Sequence, residues 1–508
     1  MSFFQPAPPS IGRVGIRRLA QQLSRLSSPA SFSSSSSTST SSFVCRQCLR
    51  SKGQPRAPST LLSSLQRTRT FREIRAPASF SARCLNTAAA PTLEDAADLA
   101  TDVKEEAKSK SSSFPEESSK SVAYWLLGSA ASVFGIVILG GLTRLTESGL
   151  SITEWRPVTG SIPPMSDEDW ESEFAKYRAS PEYIKLNPHM DVNEFKKIYF
   201  YEWTHRLWGR FIGLSFVIPT VYFIAKRRVT KRMALNLVGI SGLIGFQGFI
   251  GWWMVASGLK DDLFAPGAHP RVSQYRLAAH LSTAFICYSW MLLCGLSILR
   301  TRKLLADPTA ASKLVQVLSN PALTPFRRYA NALTALVFVT AMSGALVAGL
   351  DAGLIYNEFP KMGTGLAPPK SELFDKFYSR KEDGSDLWWR NMLENPSLVQ
   401  LDHRALAMTV CASVLAFFAY SRTGRVKAAL PADARKATMG LLHLMLMQVT
   451  LGITTLIYII PTPLAAAHQA GALALLTGAL VLGTRLRIPK GTLQLLQKRL
   501  KATRPLSK

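Results

Sequence analysis

The chain has 508 residues, of which 47% are hydrophobic, and a formal net charge of +27 at pH 7. The apolar residues are concentrated in stretches of about 20 residues, the length that crosses the ~30 Å hydrocarbon core of a bilayer, which excludes an ordinary soluble protein. The basic residues lie in the N-terminal segment and in short loops between the apolar stretches. This distribution indicates targeting and membrane topology, so nucleic-acid binding is not predicted.

The N-terminal segment has the composition of a targeting sequence. Residues 1–85 are rich in Arg and Ser and contain one carboxylate side chain, Glu73. This composition predicts a mitochondrial transit peptide. Residues 86–118 are small and polar, and we expect a disordered lead-in there. Cys45 and Cys48 form at most half of a zinc site, and we interpret their spacing as chance because no second pair follows.

Eight apolar spans follow the lead-in. Lipid offers no partner for backbone N–H and C=O groups, so each span must be a helix and the fold class is an all-α membrane protein. Lys and Arg cluster after the second, fourth and sixth spans and in the C-terminal tail, which predicts that these segments and both termini face the matrix. The predicted spans are 122–142, 202–224, 234–256, 275–299, 329–350, 400–420, 437–460 and 464–484.

The two halves of the membrane region resemble each other. At a constant offset of 204 residues, Gly140 matches Gly344 and Glu147 matches Asp351, and further on Gln247 and Gly251 correspond to Gln448 and Gly452. These matches, in one order, predict two pseudo-symmetric four-helix bundles, each able to hold a cofactor in its core. The predicted units are 119–300 and 329–486, joined by a matrix linker at 301–328 and followed by a basic matrix tail at 487–508.

Four histidines occupy equivalent positions in the even-numbered spans, a few residues from the ends predicted to face the intermembrane space: His205, His280, His403 and His468. A polar ring in lipid is costly and indicates function, and neutral imidazole is a good iron ligand. Two such rings on facing helices predict an iron atom between them in each half. A small residue stands four positions after each, as a flat porphyrin requires, although membrane helix packing also favours small residues.

Charged residues beside these histidines suggest further roles. Arg206 and Arg404 each follow a candidate ligand, and a guanidinium pairs well with the carboxylates of haem propionates. Arg144 is a third candidate. An equal alternative is that its side chain only extends to place its charge at the membrane–water interface. Glu202 lies on the helix face of His205 and has no ionisable counterpart in the second half. We predict that it handles protons, the alternative being that it orients its neighbours.

At these residues the chain resembles haem A synthases of the mitochondrial type. The most specific pieces are G-G-L-T-R-L-T-x-S-G-L-S-I-x-E-W after the first span, P-V-T-G-x-I-P-P in the following loop, and E-x-x-H-R around the first histidine. The resemblance implies oxidation of the ring-position-8 methyl of haem O to a formyl group, making haem A for cytochrome c oxidase. It also implies that His205, His280 and Glu202 surround the substrate haem, and that His403 and His468 ligate a haem b cofactor.

The transit peptide and the loop charges predict the location, and the resemblance implies the partners. The location is the inner mitochondrial membrane, with the haem sites toward the intermembrane space. The expected partners are haem O, a ferredoxin with its reductase as electron donor, haem O synthase, oxidase assembly factors, the lipid bilayer and a second copy of the chain. Two other functions fit the apolar spans. A dihaem cytochrome b, such as a quinol or metal reductase, would need haems near both faces of the membrane, whereas all four histidines lie toward one face. A transporter without haem would leave the four equivalent histidines unexplained.

Overall fold

The computed structural model describes residues 114–265 and 269–502. Within these ranges the chain is helical, and its β structure is a single isolated bridge between Met362 and Gly365. The predicted transit peptide, the Cys45–Cys48 pair and most of the predicted lead-in lie outside the described residues. The described part of the chain belongs to one compact unit.

Eight helices are long and apolar enough to cross a membrane, which confirms the predicted number. Each consists of apolar residues that face either the neighbouring helices or lipid, so its backbone hydrogen bonds are made within the helix. We label them in chain order α1 (Lys120–Leu145), α2 (Val192–Ala225), α3 (Lys231–Val255), α4 (Gln274–Ala306), α5 (Leu323–Gly349), α6 (Pro396–Ser421), α7 (Ala432–Ile457) and α8 (Thr462–Arg485).

The helices pack first with neighbours in their own half and then across the seam between halves. In the first half α4 packs on α1 and α3, and in the second α5 packs on α6 and α7 on α8. The seam is formed by α4 against α5 and by α8 against α1 and α4. Gln469 on α8 donates to the backbone carbonyl of Val137 on α1 at 2.9 Å, and the hydroxyls of Tyr288 and Thr477 lie 2.7 Å apart.

The loop between α1 and α2 is folded. Helices Asp167–Arg178 and Pro181–Leu186 lie in it. The first begins with a capping box, in which the Ser166 hydroxyl accepts from the N–H of Asp169 at 3.1 Å and the Asp169 carboxylate accepts from the N–H of Ser166 at 3.2 Å. Aromatic residues of this loop pack on the first turns of α2 in a separate core that includes Phe174, Tyr177, Phe195 and Tyr199. The loop is thereby fixed above the candidate site of the first half.

The opposite end of the bundle is closed by two short amphipathic helices. Helix Pro308–Ser319 follows α4, and helix Lys490–Ala502 lies in the predicted C-terminal tail. Leu304, Leu305, Ala311 and Leu496 form a small core between them. Glu116 and Glu117, at the end of the predicted lead-in, form ion pairs with Lys498 and Arg499. The chain segment before α1 is therefore tied to the C-terminal helix.

Candidate functional site

His280, His403 and His468 lie near the N-terminal ends of α4, α6 and α8, and His205 lies in the N-terminal half of the longer α2. These helices run in the same direction, so all four rings are at the same side of the bundle. His205 and His280 are close enough for a charge on one to act on the other, and the same holds for His403 and His468. The structure therefore brings together the two pairs predicted from the repeat.

Each ring lies against a glycine of the preceding odd-numbered helix. A methyl group at Gly140 would come within 2.9 Å of Cε1 of His205, and one at Gly251 within 3.1 Å of Cε1 of His280. The second half repeats this arrangement, with 3.0 Å at Gly344 beside His403 and 2.8 Å at Gly452 beside His468. Carbon atoms in contact normally lie 3.5–4.0 Å apart, so a larger side chain at these positions would displace the ring.

A glutamine orients the second histidine of each pair. The Gln247 amide lies 3.1 Å from Nδ1 of His280 and donates to the His280 carbonyl at 2.8 Å. Gln448 does the same at His468, with distances of 3.1 Å and 2.9 Å. A contact to the ring nitrogen that faces away from the metal helps to fix the orientation of a ligand histidine. The repeat had paired these glutamines without revealing this role.

The first histidine of each pair is held differently in the two halves. The hydroxyl of Ser343 lies 2.7 Å from Nδ1 of His403. Nδ1 of His205 is buried and has no hydrogen-bond partner among the described residues. The ring of His205 is consequently less constrained than that of His403, which is one of two differences between otherwise similar sites.

The second difference concerns a carboxylate. Glu202 is 3% exposed. One of its oxygens accepts from the Ser151 hydroxyl at 2.7 Å and the Ile152 N–H at 2.8 Å, and the other accepts from Nε and Nη2 of Arg206 at 3.1 and 2.6 Å. The remaining donors of Arg206 reach the carbonyls of Ile152 and Glu154. Arg206 was predicted to pair with a propionate. In the structure it is bound to Glu202 and to the backbone of the segment that follows α1.

Gln400 occupies the position of Glu202 in the second half. It is 2% exposed, and its amide donates to the carbonyl of Tyr356 at 3.0 Å. Arg404 donates to the carbonyls of Tyr356, Glu358 and Lys361, at 2.9, 3.0 and 3.0 Å. Each arginine therefore binds backbone carbonyls in the segment after the preceding odd-numbered helix. The carbonyls of Tyr356 and Glu358 lie 204 residues after those of Ile152 and Glu154. Only the first half adds a carboxylate.

Arg144, the third predicted propionate partner, points across the seam. Its Nη2 donates to Asp351 at 2.6 Å, and Arg271 lies 3.5 Å from the other oxygen of the same carboxylate. Nε of Arg144 is buried without a partner among the described residues. Arg144 therefore connects the end of α1 to the turn after α5. Arg271 and the buried Glu182 of the first loop carried no recognisable signal in the sequence, because each is an isolated charge in a polar segment.

The donor set fits a haem iron held from both sides. Within the described ranges, no group of three or more His, Cys, Asp or Glu side chains is arranged to hold a metal ion. Each half instead offers two imidazoles. A porphyrin supplies its own four nitrogen ligands, so the two imidazoles of each half would complete the coordination of a haem iron. The glycines beside the rings and the glutamines behind them are consistent with ligands held in one orientation.

Comparison with known proteins gives one family. The family model COX15-CtaA, described as "Cytochrome oxidase assembly protein", matches residues 123–480, a region that includes all four histidines. The chain is 52% identical over 379 residues to "Heme A synthase COX15" of Saccharomyces cerevisiae, covering 74% of this chain and 78% of that protein. It is 44% identical over 370 residues to the protein of the same name from Homo sapiens, covering 73% and 83%.

A third relative is named as a fusion with a second protein. The chain is 52% identical over 372 residues to the "Heme A synthase-mitochondrial ferredoxin fusion protein" of Schizosaccharomyces pombe, covering 72% of this chain and 60% of that protein. The extent of the family match and the identity to full-length relatives have one consequence: this chain belongs to the COX15-CtaA family of cytochrome oxidase assembly proteins.

Proposed function

We propose that the protein is a haem A synthase, which oxidises the ring-position-8 methyl of haem O to a formyl group. The observation that carries this proposal is the presence of two histidine pairs, similar in their surroundings, in a chain closely similar to proteins named heme A synthase. A transmembrane cytochrome that moves electrons between the two faces is not favoured, because all four rings lie at one side of the bundle.

The two pairs are assigned different haems in this proposal. His205 and His280 hold the substrate, haem O, and His403 and His468 hold haem b as a resident cofactor. Support comes from the hydrogen bond of Ser343 to His403, which constrains a permanent ligand, and from the absence of such a partner for His205 among the residues that the structure describes. Haem iron supplies the redox chemistry, and the protein contributes position and electrostatics. The two pseudo-symmetric bundles thus have one catalytic and one electron-transfer site.

Glu202 is the proton-handling group of the catalytic half. Its carboxylate is held by four hydrogen bonds on the helix that carries His205, and an amide replaces it in the other half. Removing hydrogen from a methyl group and adding oxygen requires proton exchange at a site shielded from water. A carboxylate three residues from a substrate ligand, fixed by Arg206, meets that need.

The surroundings of the protein follow from its relatives and from its charge distribution. A relative fused to a mitochondrial ferredoxin supports a ferredoxin, with its reductase, as electron donor. The location is the inner mitochondrial membrane, with both termini in the matrix and the haem sites toward the intermembrane space, because Lys and Arg cluster in the loops after α2, α4 and α6. Haem O synthase, other assembly factors and a second copy of the chain are further candidate partners.

The function is tested by supplying haem O to the purified protein together with a ferredoxin and its reductase. We expect haem A to form, and pigment extraction to yield haem b as well. His403→Ala and His468→Ala should each lose haem b, since each removes one of the two side chains that would hold it. Unchanged haem b content in either variant would contradict the assignment of the cofactor, and failure of the wild-type protein to make haem A would contradict the function.

The role of Glu202 is tested separately with Glu202→Gln, which keeps shape and polarity but carries no charge. We expect normal folding and haem b content, with haem A formation lowered by ~10²–10⁴-fold, as for loss of a general acid or base. Haem A is measured per haem-loaded protein. Gln400 provides the matched control, because Gln400→Ala alters the equivalent position without touching a carboxylate. Near-normal turnover of Glu202→Gln would leave Glu202 with a structural role only.

A further inference from the structure

Glu182 is a buried carboxyl group that the proposed function does not yet use. It lies in helix Pro181–Leu186 of the loop between α1 and α2 and is 3% exposed. Its Oε2 atom is buried and has no hydrogen-bond partner in the described ranges. An ionised carboxylate without a partner is very costly to bury, so the group is stable there in its neutral, protonated form.

Burial is the main influence on the pKa of Glu182, and nearby charges add to it. Helix Asp261–Phe264, which carries Asp261 and Asp262, also packs on helix Pro181–Leu186. Glu147, in the turn after α1, and Glu202, on α2, raise its pKa, while Arg144 at the end of α1 lowers it. Tyr177, on helix Asp167–Arg178, also lies within reach of the charge of Glu182. Together these effects raise the pKa of Glu182 to about 8. Glu182 can therefore bind and release a proton near neutral pH.

A buried carboxylate in the corresponding loop of the second half, Asp386, has hydrogen-bond partners on both oxygens. Asp386 is 2% exposed. It accepts from the Ser379 hydroxyl at 2.6 Å, the Arg380 N–H at 3.1 Å and Nε of Arg390 at 2.6 Å. These bonds account for Asp386 as a structural group. Among the described residues, Oε2 of Glu182 has no such compensation.

We propose that Glu182 is a proton carrier between Glu202 and the water outside this loop. The inference rests on the proposed function, in which Glu202 exchanges protons at the substrate haem. In the inward step the O–H bond of the Glu182 carboxyl breaks, a water molecule between the two groups takes this proton and gives up one of its own, and a new O–H bond forms on the Glu202 carboxylate. Glu182 then takes a proton from water at the loop surface. No electron moves in either step.

Glu182→Gln tests this role in the full-length membrane protein. The amide matches the shape and the neutral state of the protonated acid, so folding and haem b content should remain normal. We expect haem A formation per haem-loaded protein to fall at least about 10-fold, since proton transfer by one side chain is typically worth that much or more. Glu182→Asp keeps an acid and should restore part of the rate. Glu168→Gln, at an exposed acid of the same loop, should behave as wild type.

Two further measurements separate a proton carrier from a structural residue. The infrared spectrum of the wild type should contain a protonated-carboxyl band that disappears as pH rises through about 8 and is missing in Glu182→Gln. The wild-type rate should change over the same pH interval, and that change should be lost in the variant. A variant that keeps the wild-type rate and pH profile would overturn the proposal, as would one that only loses haem or stability. A wild-type protein inactive on bound haem O would instead refute the proposed function.

Discussion

At the scale of single residues, each candidate ligand ring is accommodated by a glycine, whose lack of a side chain leaves space for the ring. The four glycines that contact the histidine rings recur in the repeat as two pairs, Gly140 with Gly344 and Gly251 with Gly452. The sequence predicted the four histidines and showed the glycines as matched positions. It could not show that glycine and ring touch, because that contact joins different helices whose rotation about their axes is set by packing.

Enlarging one of these glycines should weaken haem binding. In Gly452→Ala the new methyl group would lie 2.8 Å from Cε1 of His468 and force the ring to move. We expect haem b affinity to fall about 10–100-fold, as for other changes that misplace a metal ligand. Haem b per purified protein measures this. Gly440→Ala, on the same helix and with no atom within 4 Å, is the control and should keep its haem.

The pH dependence of stability should reveal the state of Glu182. Its pKa is raised from 4.5 to about 8, so the folded form binds the proton more tightly than the unfolded form. The stabilisation is complete below about pH 4.5 and is lost as pH rises toward 8. Between pH 5 and 8 the wild-type Tm should therefore fall by more than that of Glu182→Gln. Parallel Tm curves for the two proteins would mean that Glu182 is not protonated in the folded state.

At the scale of helices, the number of spans was predicted correctly and their ends were not. The predicted second span begins at 202, whereas α2 begins at Val192, where Asp191 caps the helix by accepting from the N–H of Glu194 at 2.8 Å. Likewise α4 continues to Ala306, beyond the predicted end at 299. Hydropathy detects the part of a helix that lies in lipid, whereas polar turns beyond the membrane are set by capping and by packing of the loops.

The seam between the halves also depends on a glycine. A methyl group at Gly141 on α1 would overlap the side-chain amide of Gln469, which bonds to Val137 across the seam. Gly141→Val should destabilise the protein by about 1–3 kcal/mol through overpacking. Thermal unfolding in detergent measures the loss. Gly128→Val lies on the same helix with no atom within 4 Å and should leave Tm unchanged. Equal Tm values for the two variants would show that the seam can adapt.

At the scale of the whole molecule, the internal repeat carried most of the prediction. The eight predicted spans are confirmed, and the two haem sites that it predicts between the histidine pairs remain a proposal. The folded loop above the first half was not anticipated, because its aromatic core joins residues such as Trp170 and Tyr199 that show no periodic pattern in the sequence. That loop contains Glu182, so the part of the molecule hidden from sequence reasoning is the part proposed here to exchange protons.

The orientation of the molecule in the membrane is the last prediction. Basic residues cluster in the connection from Lys226 to Arg232, whereas the loop between α1 and α2 carries several acids, and the positive-inside rule places the first in the matrix and the second in the intermembrane space. Glu168→Cys and Lys231→Cys, both exposed positions, test this with a membrane-impermeant maleimide. In mitochondria with a ruptured outer membrane, the cysteine at 168 should react, and the one at 231 should react only after the inner membrane is opened. The opposite pattern would invert the topology, and would also move the proton exchange of Glu182 to the matrix side.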